Sequence, residues 1–212
     1  MTHRVYYILK SGVGQVLNTD SYFGEKSSRK NGRVLKTMKK IAVINDLSGF
    51  GKCSLTAAIP VISALGLECC PMPTAVLSNQ TGFESFYCDD FTDKMDFFTS
   101  EWKKLGVRFD GILTGFIASH RQAEKIFRFL DEFQNDDTVF FCDPVMADDG
   151  QIYDIYDKAM CDAVTRLAKR ADIISPNLTE LCVLTGESYE VLSSSDPDDI
   201  AKAASSLLND TL

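Results

Sequence analysis

Ile41-Ala42-Val43-Ile44-Asn45-Asp46-Leu47-Ser48-Gly49-Phe50-Gly51-Lys52-Cys53-Ser54 joins a short apolar run to a glycine-bearing turn and then to a segment of helical period. A run that is apolar at every position suits a strand covered on both faces, and the glycines suit a tight passage from strand to helix. The same grammar repeats outward. Further apolar runs lie at Cys69 to Val76, Gly111-Ile112-Leu113, Thr138 to Cys142 and Asp172-Ile173-Ile174. Between and after them the spacing predicts helices over Ser54 to Leu65, Thr92 to Leu105, Ser119 to Phe133, Asp157 to Lys169, Asn177 to Leu184 and Asp198 to Leu208. Strands alternating with helices imply an α/β fold: a doubly wound, mainly parallel sheet with helices on both faces. In such a fold each helix returns to a new strand, and the last helix here has none, so the expectation is a fold incomplete at the C-terminus.

Local signals mark several boundaries. Ser119 with Gln122 forms a possible capping box before Ala123, Ile126, Phe127 and Leu130, which share one helical face. Gly66, Gly106 and Gly186 each follow a helical segment, where a left-handed closing residue is favoured. Pro60 predicts a kink in the first helix, and Pro197 suits the start of the last.

Composition limits the classes of function. Hydrophobic residues are 45% of the 212 and charged residues 25%, as in an ordinary globular protein. The net charge of −8 argues against a nucleic-acid partner, and no run reaches the length of a membrane span. A small molecule is the expected ligand. Residues 1–40 hold nine basic and two acidic side chains, against 13 and 28 in the remainder. Residues 1–37 therefore read as a basic, poorly ordered leader or artefactual extension, and 38–212 as the folded domain, with Met38 as the natural start. Seven cysteines without a CxxC pair are no disulfide framework and fit a reducing cytoplasm. With only His3 and His120, a His-rich metal site or a Ser-His-Asp triad is nearly excluded.

In open α/β sheets ligands bind beyond the carboxyl ends of the strands, so the residues just after each run carry the chemistry. The first turn is no P-loop, because Asp46 and Cys53 stand where Gly and Ser or Thr are needed, and it lacks the third glycine of a dinucleotide fingerprint. After the fourth run Asp143-Pro144-Val145-Met146-Ala147-Asp148-Asp149-Gly150 clusters carboxylates in a way that suits Mg²⁺ bridging to nucleotide phosphates, or equally a solvated acidic loop. After the fifth, Asn177 and Glu180 share one helical face, and either turn toward the same cluster or serve as helix cap and first-turn acid.

DLSGFGKCSLTAA from residue 46, PTAVLSNQTGFE from 73, LTGF from 113, CDPVM from 142 and ADIISPNLTEL from 171 follow the order and spacing of pyridoxal/pyridoxine kinases. From Met38 to Leu212 the chain resembles that family, a branch of the ribokinase-like superfamily. The resemblance implies ATP-dependent phosphorylation of the 5′-hydroxymethyl group of pyridoxal, pyridoxine or pyridoxamine in pyridoxal 5′-phosphate salvage. It also implies ATP and Mg²⁺ as cofactors, and a homodimer when the chain is full length. Asp46, Thr74, Ala75 and Phe116 would face the pyridine substrate; Asp143, Ser175 and Glu180 would bind ATP; Asp143, Asp148, Asn177 and Glu180 would hold the metal. Residues 78–93 would cover the substrate. Asp46 stands where one branch of the family has serine, which leaves hydroxymethylpyrimidine (phosphate) kinase as the nearest alternative. The family's catalytic aspartate sits in a Gly-x-Gly-Asp turn, and none occurs in these residues. The base is therefore expected downstream of Leu212, with negligible turnover by this polypeptide; a non-catalytic small-molecule-binding protein is the remaining alternative.

Overall fold

The computed structural model describes residues 38–209, with side chains to 207, and before them the backbone of 8–9, 12–13, 27–30 and 33–36. In chain order the elements are β1 (Ile8–Leu9), β2 (Gly12–Val13), β3 (Ser27–Lys30), β4 (Arg33–Lys36), β5 (Lys40–Ser48), α1 (Ser54–Ala64), β6 (Glu68–Leu77) and β7 (Cys88–Asp90). A 3₁₀ turn at Thr92–Lys94 leads into α2 (Met95–Lys104), then β8 (Gly111–Thr114), α3 (His120–Phe133), β9 (Val139–Cys142) and the hairpin β10 (Ala147–Asp148) with β11 (Gln151–Ile152). The remainder is α4 (Lys158–Arg170), β12 (Ile173–Ile174), α5 (Leu178–Thr185), α6 (Tyr189–Ser194) and α7 (Pro197–Asn209).

Among the described residues the main sheet runs β2-β1-β12-β9-β8-β5-β6-β7. The strands from β12 to β6 are mutually parallel, and β1, β2 and β7 join antiparallel at the two edges. Counting only the parallel strands in chain order gives 2-1-3-4-5, the doubly wound arrangement whose direction reverses between its first and third strands, here β5 and β8. The two faces of β5 explain the layers, since side chains alternate across a strand. Ala42 and Ile44 enter the larger core, beneath α2, α3 and α4, while Val43 packs with Leu55 and Ile62 of α1 on the other face.

The sequence placed the alternation well and the ends less well. Gly66, Gly106 and Gly186 have φ of 76°, 64° and 79°, the left-handed closure expected of them. Pro60 lies inside α1. Within residues 38–209 the sequence reading does not anticipate β7, the β10–β11 hairpin or α6: all are short, β7 forms only against β6, and the hairpin's one signal is its Asp149-Gly150 turn. The expected leader falls mostly outside the described residues; those described there form β1 and β2 on the sheet edge and a separate β3–β4 hairpin.

An aromatic group anchors α3 to α2. Phe129 is fully buried, with ring centroids 4.6 Å from Phe133, 5.9 Å from Phe109 and 6.0 Å from Trp102. Phe129→Ala should cost about 3–5 kcal/mol by loss of transfer energy and creation of a cavity. A denaturant titration checks this; a loss below about 1 kcal/mol would mean that the neighbouring rings close the gap.

Candidate active site

The carboxyl end of β5 is the centre of the site because the sheet reverses direction there. β5 and β6 are paired in register from Lys40 to Asn45, but the register shifts between Asn45 and Leu47, which pair with Pro73 and Val76. Between these pairs one residue of β5 thus faces two of β6. Asp46 faces Thr74 and Ala75 across this bulge, the kind of irregularity that re-aims side chains at a strand end. Three of the four residues assigned to the substrate by resemblance therefore sit in one backbone feature, which no periodicity in the sequence announces.

Hydrogen bonds tie the fourth to them. Asn45 Oδ1 accepts from the backbone N–H of Asp46 and of Phe116, each at 2.9 Å. Thr74 Oγ1 donates to the Phe116 carbonyl at 3.0 Å, so this buried hydroxyl is spent on the fold. Asp46 is buried, and Ser48 Oγ donates to its Oδ2 at 2.9 Å. Ala75 is wholly buried, while the half-buried Phe116 ring lies 6.4 Å from that of Tyr156. The turn after β5 folds back along β6: the Gly49 and Phe50 N–H groups donate to the carbonyls of Leu77 and Ser78, and Gly51 adopts a φ of 103° that other residues resist.

Gln122, read from sequence as half of a capping box, does something else. Ser119 Oγ does accept from the Gln122 N–H at 3.4 Å, but the Gln122 side chain accepts from Ala118 N–H rather than closing the box. Its Nε2 donates to the Thr74 carbonyl at 2.8 Å and to Thr92 Oγ1 at 3.0 Å. Fully buried, it clamps the bulge of β6 to the start of the chain leading into α2.

A second group lies at the same rim, where β9 and β12 end. Burial pushes the Asp143 carboxyl up to about 6, opposed by a long 3.4 Å hydrogen bond from Ser175 Oγ. Glu180 is pushed up to about 8, first by burial and then by the charges of Asp143 and Asp148, against hydrogen bonds from the Asn177 and Met146 N–H groups. These lengths are 2.8 Å and 3.3 Å. The carboxylates of Asp143 and Asp148 thus lie near enough to Glu180 to disfavour its ionisation. Asp148 is carried by the β10–β11 hairpin, whose turn at Asp149 and Gly150 has positive φ at both residues, 47° and 80°.

Asn177 takes the cap alternative. Its Oδ1 accepts from the Glu180 N–H at 2.9 Å, Glu180 returns the bond, and its Nδ2 donates to the Ala147 carbonyl at 2.8 Å. It holds Glu180 and the hairpin in place and does not aim an oxygen at the carboxylates. Among the described residues no three His, Cys, Asp or Glu side chains form a cage for a metal ion. The chemistry of the donors nonetheless fits a hard cation: Glu180, buried, and Asp143, half-buried, are carboxyls whose surroundings oppose ionisation. Mg²⁺ commonly takes one or two such ligands and completes its shell with water and phosphate oxygens.

The match to known proteins covers most of the chain. Residues 51–211 match the family described as phosphomethylpyrimidine kinase. A Bacteroides thetaiotaomicron protein described as a phosphomethylpyrimidine kinase is 42% identical over 83% of this chain and 60% of its own, with a TM-score of 0.77; its orthorhombic crystal form contains pyridoxal. Pyridoxal kinase from Lactobacillus plantarum is 29% identical over 81% of this chain and 60% of its own, with a TM-score of 0.72. The pyridoxal kinase PdxY of Aliivibrio fischeri is 26% identical over 81% of this chain. This chain spans 60% of that relative's length. The doubly wound, mainly parallel sheet agrees with this match, and the chain belongs to the phosphomethylpyrimidine kinase family, alongside pyridoxal kinases.

Proposed function

We propose that this chain is part of a kinase that transfers a phosphoryl group from ATP to the 5′-hydroxymethyl group of pyridoxal, pyridoxine or pyridoxamine. The observation that carries this reading is the placement of two unlike groups on one sheet rim. Asp46 and the Phe116 loop lie at the switch point, and Asp143 and Glu180 lie two and three strands along. Phosphoryl transfer needs alignment and charge neutralisation more than covalent help. Asp46 would orient the ring, with the Thr74-Ala75 backbone and Phe116 forming the floor. Asp143 and Glu180 would hold Mg²⁺ with the ATP phosphates; Ser175 supports Asp143, Asn177 supports Glu180, and Asp148 contributes from the hairpin. These 212 residues contain no Gly-x-Gly-Asp turn, so they account for binding and charge neutralisation but not for removal of the hydroxyl proton.

The pyridoxal in the Bacteroides crystal form, at 42% identity, supports the pyridine substrate. The family description and the carboxylate of Asp46 support a second reading, a hydroxymethylpyrimidine substrate. Cytoplasmic residence fits seven free thiols, and no helix among the described residues is long and apolar enough to cross a membrane. Dimerisation through the cover over the substrate completes the proposal.

Titration of the chain with pyridoxine, with the aminopyrimidine alcohol and with Mg²⁺-ATP tests it. The expected result is saturable binding of Mg²⁺-ATP and of pyridoxine, with the pyrimidine competing more weakly. Failure of both ring compounds to bind would end the kinase assignment, and tighter binding of the pyrimidine would exchange the two readings.

A further inference from the structure

The geometry points to Asn45 as a positioning residue for the substrate, working as a pair with the void left by Gly115; this rests on the functional reading above and deepens it. Asp46 lies in β5 and Phe116 just beyond β8, past the last paired residues Ile44 and Thr114. One side-chain atom links the two directly. Asn45 Oδ1 takes the Asp46 N–H and the Phe116 N–H at equal 2.9 Å lengths, so the carboxamide pins both residues to a common point. Two donors on one oxygen also settle which end of the amide is which, since Nδ2 could not accept either bond.

The carboxamide fits only because residue 115 has no side chain. A Cβ on Gly115 would lie 2.3 Å from Asn45 Nδ2, 2.6 Å from Cγ and 2.8 Å from Oδ1, distances that non-bonded atoms do not adopt. The Gly115 N–H donates to the Ile44 carbonyl at 3.0 Å, which fixes the backbone and prevents it from backing away. Neither residue has a long side chain to offer a ligand, and the sequence places both merely at strand ends. Together they set the width of the crevice between β5 and β8, and so the distance from the Asp46 carboxylate to the Phe116 ring.

The test is a double-mutant cycle read by pyridoxine binding, a probe without an aldehyde and so unable to form imines with lysines. Asn45→Ala removes the pin, and Gly115→Ala displaces it by contact; each should weaken binding on the order of tenfold, the scale of misplacement by a fraction of an ångström. In the double variant the methyl added at position 115 meets only the methyl left at position 45, so its loss should match either single variant and not their product. Asn45→Asp keeps both acceptor bonds and should stay within about threefold of the parent; if Asn45→Ala lacks a cooperative thermal transition, Asn45→Ser, too short to accept from both N–H groups, replaces it in the cycle. Multiplicative losses in the cycle, binding by Asn45→Ala within twofold of the parent, or an Asn45→Asp loss of tenfold would each overturn the inference. If the parent chain itself binds no pyridoxine, the functional reading has failed first and the inference falls with it.

Discussion

Asp143→Asn should weaken Mg²⁺-ATP binding by about 100-fold or more while leaving the fold intact. Outer-shell partners of a bound metal already contribute 10- to 100-fold in affinity, and Asp143 is assigned a direct place beside the cation. The fold should tolerate the change for the same reason that the carboxyl is perturbed. Burial pushes Asp143 up to about 6, so its ionised form is the costly one and a neutral amide of the same shape is not. Ser175 Oγ retains an oxygen to donate to. Titration calorimetry with Mg²⁺-ATP, beside a thermal melt of the unliganded chain, separates the two effects. Affinity within threefold of the parent, at an unchanged melting temperature, would remove Asp143 from the nucleotide site. An equal loss of melting temperature and affinity would make it a structural residue.

The affinity for Mg²⁺-ATP should also climb with pH, about tenfold per unit from 6 to 8, and flatten above 8. A cation needs both carboxylates ionised. Glu180, held up to about 8 by burial and by the neighbouring Asp143 and Asp148 charges, keeps its proton at pH 7, so binding must expel about one proton there. Below about 6 the Asp143 proton must leave as well, and the dependence steepens. Calorimetry in buffers of different ionisation enthalpy counts the released protons directly. Glu180→Gln should abolish the rise between 6 and 8; a profile already flat from pH 6 in the parent chain would refute the assignment.

The sign reverses for the unliganded chain. The native state holds protons that the unfolded chain releases near the ordinary values of 3.8 and 4.5, so stability is fully present below those values and falls as pH rises toward 6 and 8. The unliganded melting temperature should therefore decline across that window, and Mg²⁺-ATP should restore most at its alkaline end. Both trends come from one cause, the desolvation of the Asp143 and Glu180 carboxyls in the folded chain.

Much of this was legible before any coordinates. The apolar runs, the helical faces, three closing glycines and the acids after β9 depend on residues within a few positions of one another, and such local patterns survive in a linear reading. Asp143 and Glu180 stand out in the sequence because carboxylates next to a strand end or in a first helical turn are visible in one dimension. No sequence pattern decides between Asn177 as ligand and Asn177 as cap, because the choice turns on where a freely rotating amide finds its partner. That partner, the Ala147 carbonyl, lies 30 residues away. Gln122 likewise offers a capping signature and delivers instead a clamp on Thr74, 48 residues distant.

By itself the sequence determined the doubly wound α/β class, the strand ends that bear the chemistry and the family, because hydrophobic period, capping chemistry and motif spacing are properties of neighbouring residues. Only the tertiary structure decided the bulge that gathers Asp46, Thr74 and Ala75, the carboxamide that binds Asp46 to Phe116, and the burial, with the nearby Asp143 and Asp148 charges, that raises the Glu180 carboxyl. Each of these depends on register and distance between strands, and those follow from the packing of the whole sheet rather than from any segment of the chain.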